Sequence, residues 1–153
     1  MRVSIAYPPL ESTKGVALLG QNRQFQWFNS PTYIYPMVPA YAASYLKFKG
    51  FDVSWDDGIA EGKSYVEFLE YVKTSDIDVM MMETKAPVVK LHWEIVREFK
   101  KVRPEMIIVM VGDHVTAYPE ETMRECPVDY ILTGGNYDFL LENLCESLRK
   151  HEG

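Results

Sequence analysis

Four short segments of this 153-residue chain gather residue types suited to gripping a ligand. They are Tyr7-Pro8-Pro9-Leu10, Glu83-Thr84-Lys85-Ala86-Pro87, Gly112-Asp113-His114-Val115-Thr116 and Thr133-Gly134-Gly135-Asn136. Gly112, Gly134 and Gly135 lack a Cβ, so backbone can approach a large flat ligand closely there. The hydroxyls of Thr84, Thr116 and Thr133 can serve amide or phosphate groups. Helix starts that follow such loops favour anions such as a phosphodiester. The plainer reading is that Gly112 and Gly134-Gly135 only make tight strand-to-helix turns, and on pattern alone that reading prevails.

Other chemistry is poorly served. His114 has no partner ligands at metal-site spacing. His92 falls between helical core positions and His151 lies at the tail, so both are expected to face solvent. Cys126 and Cys145 form no CxxC or Cys/His pattern. They are expected to be reduced thiols of a cytoplasmic protein. Asp56-Asp57 suggests ribose binding or a phospho-acceptor pocket. A phospho-acceptor pocket needs acids after the first strand and an aspartate after the third. Tyr7-Pro8-Pro9 and Met82-Glu83 stand there instead. The first turn carries no GxGxxG, and no GxSxG or plausible Cys–His nucleophile pair is present.

The elements that must position these segments alternate between two periodicities. Val3–Tyr7, Phe51–Trp55, Asp78–Met82, Met106–Val111 and Val128–Leu132 read as strands. Several are continuous apolar runs, as strands covered on both faces require. Between them run amphipathic stretches. Val38, Tyr41, Ala42, Tyr45 and Leu46 share one helical face, ended by Gly50. Ser64 is a candidate N-cap, with Glu67 completing a capping box, for a helix carrying Val66, Leu69 and Val72. Val88, Leu91, Ile95, Phe99 and Val102 form a stripe that stops before Pro104. Pro119 opens a short helix to Arg124. Tyr137, Leu140, Leu141, Leu144 and Leu148 make the last stripe.

Five such units predict an α/β fold: a flavodoxin-like, doubly wound, five-stranded parallel sheet in three α/β/α layers, with strand order 2-1-3-4-5. In that fold ligands sit beyond the carboxyl ends of the strands, where the four segments fall. The length suits a single domain over 1–153. One connection is out of proportion. Residues 8–37 carry Phe25, Trp27, Phe28, Tyr33 and Tyr35. Such a loop is either an ordered lid or docking surface, or one that packs its aromatics on its own domain. The net charge of −6 and the lack of a dense Lys/Arg run argue against nucleic acid or a membrane surface as the main partner. The longest apolar runs are far too short to span a bilayer. Met80-Met81-Met82 reads as buried strand.

Several segments in order resemble one family. Gly112-Asp113-His114-Val115-Thr116-Ala117-Tyr118-Pro119-Glu120-Glu121 is similar to a Gly-Gly-x-His, spacer, Pro-Glu-Glu signature. It belongs to the cobalamin-binding N-terminal domain of B12-dependent radical SAM enzymes. Val128-Asp129-Tyr130-Ile131-Leu132-Thr133-Gly134-Gly135 resembles that domain's next strand. Tyr7-Pro8-Pro9, Pro39–Leu46 and Gly50-Phe51-Asp52-Val53 resemble its opening. Asp113 departs from the usual glycine or proline, and Thr133–Asn136 lacks the usual arginine and glutamate.

The resemblance implies cobalamin on the carboxyl edge of the sheet, touching Tyr7, Pro8, Pro9, Thr84, Lys85, Gly112, Asp113, His114, Val115, Thr116, Thr133, Gly134 and Gly135. No DxHxxG follows the first strand, so binding is expected base-off without a histidine ligand from that loop. The corrin's lower face would rest on Glu83–Val88. His114 would shape its loop or meet the cofactor tail. The chain would be the N-terminal part of a longer protein. It would present cobalamin to a radical SAM domain or partner chain, chiefly for methyl transfer. S-adenosylmethionine and the iron–sulfur cluster would belong to that partner, because two cysteines cannot supply CxxxCxxC. No activity is expected of this chain alone. The alternative is a degenerate domain of the same kind, acting as a protein-interaction or substrate-docking module.

Overall fold

The computed structural model describes residues 1–19 and 25–151, with the side chain of His151 outside the description. Five strands form one parallel sheet: β1 (Arg2–Tyr7), β4 (Asp52–Asp57), β5 (Val79–Glu83), β6 (Ile107–Val111) and β7 (Tyr130–Leu132). Their spatial order is β4-β1-β5-β6-β7, the doubly wound order 2-1-3-4-5. All four pairings are parallel. β5 is buried along its whole length, and Met80, Met81 and Met82 are at most 1% exposed. A strand flanked by strands and covered on both faces has no solvent side, hence its unbroken apolar run.

Two cores follow from the winding. On one face α1 (Met37–Phe48) and α6 (Tyr137–His151) pack Ala42, Leu46, Leu141 and Cys145 onto Val3, Ile5, Met81 and Val109. On the other, α2 (Tyr65–Thr74) and α3 (Val89–Val102) pack Phe68, Val72, Val96 and Phe99 onto Met80, Met82, Ile108 and Met110. Phe68 stacks on Phe99 at 6.1 Å. The helix α4 (Asp113–Ala117) adds Val115 to this second core, and Cys126, which follows α5 (Pro119–Glu125), joins it. The capping box is formed: Ser64 Oγ accepts the Glu67 N–H, and the Glu67 carboxylate accepts the Ser64 N–H. It is worth about 1 kcal/mol.

Several expected core positions are corrected. Val38, Tyr41, Val66 and Leu91 are exposed. Pro39, Ala40, Phe68 and His92 take the buried places. His92, expected in solvent, is fully buried, because the buried face of α3 runs through Val89, His92, Val96 and Phe99 at helical spacing. His151, expected in solvent, lies outside the described side chains.

The long connection is not one loop. It contains a two-stranded antiparallel hairpin, β2 (Val16–Leu18) with β3 (Gln26–Phe28); residues 20–24 between them are outside the description. Gly15, at φ +107°, sits against the Phe28 carbonyl, where a Cβ would lie 2.1 Å from that oxygen. The aromatics divide between two environments. Phe25 and Trp27 meet edge to face at 5.3 Å and pack on the core. Tyr33, Ile34 and Tyr35 stay 49%, 48% and 66% exposed. Among the described residues, no helix is long and apolar enough to cross a membrane.

Candidate functional site

The carboxyl ends of β5, β6 and β7 face a half-open cavity of about 330 Å³. Its walls come from four places in the chain. Glu83 ends β5 and Lys85 follows it, Asp113 and Thr116 lie on α4, Gly134 and Gly135 follow β7 and lead to Tyr137 at the start of α6, and the start of α1 closes the side with Pro36, Val38 and Pro39. This is the crevice that a doubly wound sheet opens where its winding reverses.

A buried charged group lies in the wall. Glu83 and Lys85 are 8% and 6% exposed. Lys85 Nζ donates to Glu83 Oε1 at 2.7 Å, and Tyr7 Oη donates to Glu83 Oε2 at 2.7 Å. Burial and the neighbouring Glu83 carboxylate raise the Tyr7 phenol well above its ordinary pKa, so it stays a neutral donor. Charges this far from water persist only when paired and hydrogen-bonded. An ammonium carries three N–H donors, so Lys85 keeps donor capacity beyond its bond to Glu83.

Gly112 holds this wall in place. It adopts φ +123°, and a Cβ there would stand 2.2 Å from the Thr84 carbonyl oxygen. The Thr84 N–H donates to the Val111 carbonyl at 2.9 Å. The Thr84 hydroxyl turns away from the cavity and lies 2.7 Å from His92 Nδ1. Burial lowers the His92 imidazole to a pKa of about 4, so it is neutral. Its Nε2 is buried with no hydrogen-bond partner among the described residues.

The opposite rim is open backbone. The Gly134 N–H donates to Thr116 Oγ1 at 3.0 Å, which ties the β7 loop to α4. Gly134 takes φ +86°, and a Cβ on Gly134 or Gly135 would meet nothing within 4 Å.

The thirteen residues expected at the site therefore fall into two groups. Lys85, Asp113, Thr116, Gly134 and Gly135 line the cavity. The rest stand behind or beside it. Tyr7 acts through Glu83, Pro8 and Pro9 are buried, and Thr84 and Gly112 shape the turn. Val115 is core. Thr133 is exposed but lines no part of the cavity. His114 points to Glu121, 3.1 Å from its Nε2, and packs beside Trp93 and Tyr118. Sequence reasoning set Glu83 in the segment beneath the corrin, and missed Pro36, Val38, Pro39 and Tyr137 as lining residues.

No family model matches the chain. Over 115 residues, 75% of its length, it is 29% identical to the uncharacterized methyltransferase PH0819 of Pyrococcus horikoshii. That match spans 25% of the relative. The fold superposes on TsrM, a radical S-adenosylmethionine methyltransferase from Kitasatospora setae. The TM-score is 0.71 for TsrM with tryptophan substrate and a SAM analog, and 0.69 for TsrM with cobalamin and a 4Fe-4S cluster bound. Identity is 16% in both. This chain has the fold of one quarter of a radical SAM methyltransferase. The match takes in 98% of the chain but only 26% and 25% of the TsrM chains.

Proposed function

We propose that this chain binds cobalamin base-off on the carboxyl edge of its sheet and presents it to a radical SAM domain for methyl transfer. The observation that carries this reading is the cavity at the winding reversal, with its open Gly134–Gly135 rim, in a fold shared with a quarter of a cobalamin-containing methyltransferase. The residues fit the group. Bare backbone at Gly134 and Gly135 would admit the tail, and the Thr116 hydroxyl on the same rim would serve its polar atoms. The spare donors of Lys85 suit the amide oxygens around a corrin. His92 and His114 are both turned to protein partners, and neither lines the cavity, which fits binding without a histidine ligand. When bound, the cofactor supplies a methyl-carrying cobalt, and the protein supplies position and electrostatics. The carbon acceptor and the cluster chemistry are assigned to a separate domain, because Cys126 and Cys145 are buried free thiols far apart in sequence.

Anaerobic titration with hydroxocobalamin tests this. The expected result is a saturable complex with a base-off absorbance spectrum. After reduction to cob(II)alamin, its electron paramagnetic resonance should show no nitrogen superhyperfine splitting. A nitrogen-split spectrum would overturn the proposed ligation. The exposed row Tyr33-Ile34-Tyr35 favours a second reading, a docking module that no longer holds the cofactor. A folded chain that does not bind hydroxocobalamin would select it.

A further inference from the structure

Two sequence features find no use in the cofactor site: the Asp56-Asp57 pair and the aromatic segment near Tyr33. The fold separates the first pair. Asp56 is consumed internally, accepting from Ser4 Oγ, from Ser54 Oγ at 2.7 Å and from Tyr71 Oη at 2.8 Å. Asp57 instead meets the aromatic segment at a second cavity of about 230 Å³.

This cavity lies over the carboxyl ends of β1 and β4, where Tyr7 and Asp57 are register partners. The hairpin covers it with Ala17–Leu19, and Tyr33–Pro36 closes the other side. Three tyrosines, Tyr7, Tyr33 and Tyr35, contribute to its walls. Behind them Trp55 links Tyr7 and Tyr35, with centroids 5.8 Å from each. Asp57 is the one acidic residue among the lining residues described. Its Oδ1 accepts the Ala60 N–H at 2.9 Å. A carboxylate offers about four acceptor positions, so the backbone leaves room for a ligand donor. Aromatic faces around a single carboxylate attract an organic cation through the ring quadrupole and the charge together. Leu18, Leu19 and Ile34 want an apolar body attached to that cation.

We propose that the second cavity binds an organic ammonium ion with an apolar body, its charge held by Asp57 and the tyrosine faces. The site stands apart from the cofactor cavity, sharing only Pro36 with it, and does not rest on cobalamin binding. The two are mechanically joined, because Tyr7 lines the second cavity and donates to Glu83 in the wall of the first.

Calorimetric titration of the chain with phenethylammonium and with neutral 2-phenylethanol tests the proposal. The ammonium should bind about tenfold more tightly than the alcohol, which presents a similar apolar body without the charge. Asp57→Asn keeps an oxygen for the Ala60 N–H and should erase that preference. Tyr35→Ala removes a mostly exposed ring without touching the core, and should weaken the ammonium by about fivefold. Equal affinity of the two probes for the unmodified chain would overturn the proposal, and so would absence of saturable binding at millimolar concentration. A preference that survives intact in folded Asp57→Asn would overturn the role of the carboxylate.

Discussion

The two ends of the sheet handle polar groups in opposite ways. At the amino ends, charge is spent on the chain itself, near solvent. The Arg2 N–H donates to Asp78 at 2.6 Å. Asp129 accepts both the Ile108 N–H and Lys100 Nζ at 2.7 Å, with side chains 33% and 16% exposed. At the carboxyl ends, Glu83, Thr84, Lys85 and His92 are all under 9% exposed, and two of them border a cavity. Groups at the amino ends close strands and helices. Groups at the carboxyl ends pay a desolvation cost that folding alone does not require. That asymmetry supports the proposed placement of the cofactor on the carboxyl edge.

Substitutions at the two ends should separate accordingly, measured by urea denaturation. Gly112→Ala places a Cβ against the Thr84 carbonyl in a left-handed conformation and should cost about 4 kcal/mol. Gly50→Ala also has positive φ, but its Cβ meets nothing within 4 Å, and it should cost about 1 kcal/mol. Equal costs would break the comparison. Lys85→Met leaves Glu83 buried with Tyr7 as its remaining donor among the described residues, and should cost about 3 to 4 kcal/mol. Lys100→Met, at the more exposed pair, should cost about 1 kcal/mol.

His92 sharpens the contrast through pH. Its imidazole has an ordinary pKa of 6.5, lowered by burial to about 4 in the folded chain. The unfolded chain therefore binds more protons between those values. The stability that neutral His92 permits is fully present above about pH 6.5 and is lost as pH falls through about 4. At about 1.4 kcal/mol per unit, the loss reaches about 3 to 4 kcal/mol. His92→Gln should flatten that part of the stability–pH curve. An unchanged slope would mean that another group dominates.

The strands were legible because a doubly covered strand must be apolar throughout, as in Val79–Met82 and Ile107–Val111. The capping box was legible because Ser64 and Glu67 act locally. Helix faces were harder. Leu91 and His92 are consecutive in α3 and so about 100° apart around its axis; hydropathy favours the leucine, yet packing buries the histidine against Thr84. Val38 and Tyr41 look like core by composition but are exposed, and Val38 lines the cavity. Hydrophobic periodicity cannot tell a core face from a binding face. The hairpin escaped notice because three-residue strands carry too little alternation to read. The glycine turns could be located in the sequence, but only the fold distinguishes Gly112, where a Cβ would strike the Thr84 carbonyl, from Gly134, where positive φ alone favours glycine and a Cβ would face open space.

That last distinction supplies the most direct test of the cofactor site. Hydroxocobalamin titrations of the unmodified chain and of Gly134→Val, run in parallel, report on the place as well as the fact of binding. Valine strains the Gly134 backbone, held at φ +86°, by about 1 to 2 kcal/mol, but its Cβ meets open space on the cavity rim, so the sheet should stay intact, with far-ultraviolet circular dichroism unchanged. The account predicts tight base-off binding by the unmodified chain and at least about a tenfold loss in the variant. Equal affinity in two folded proteins would contradict the placement of cobalamin on this edge.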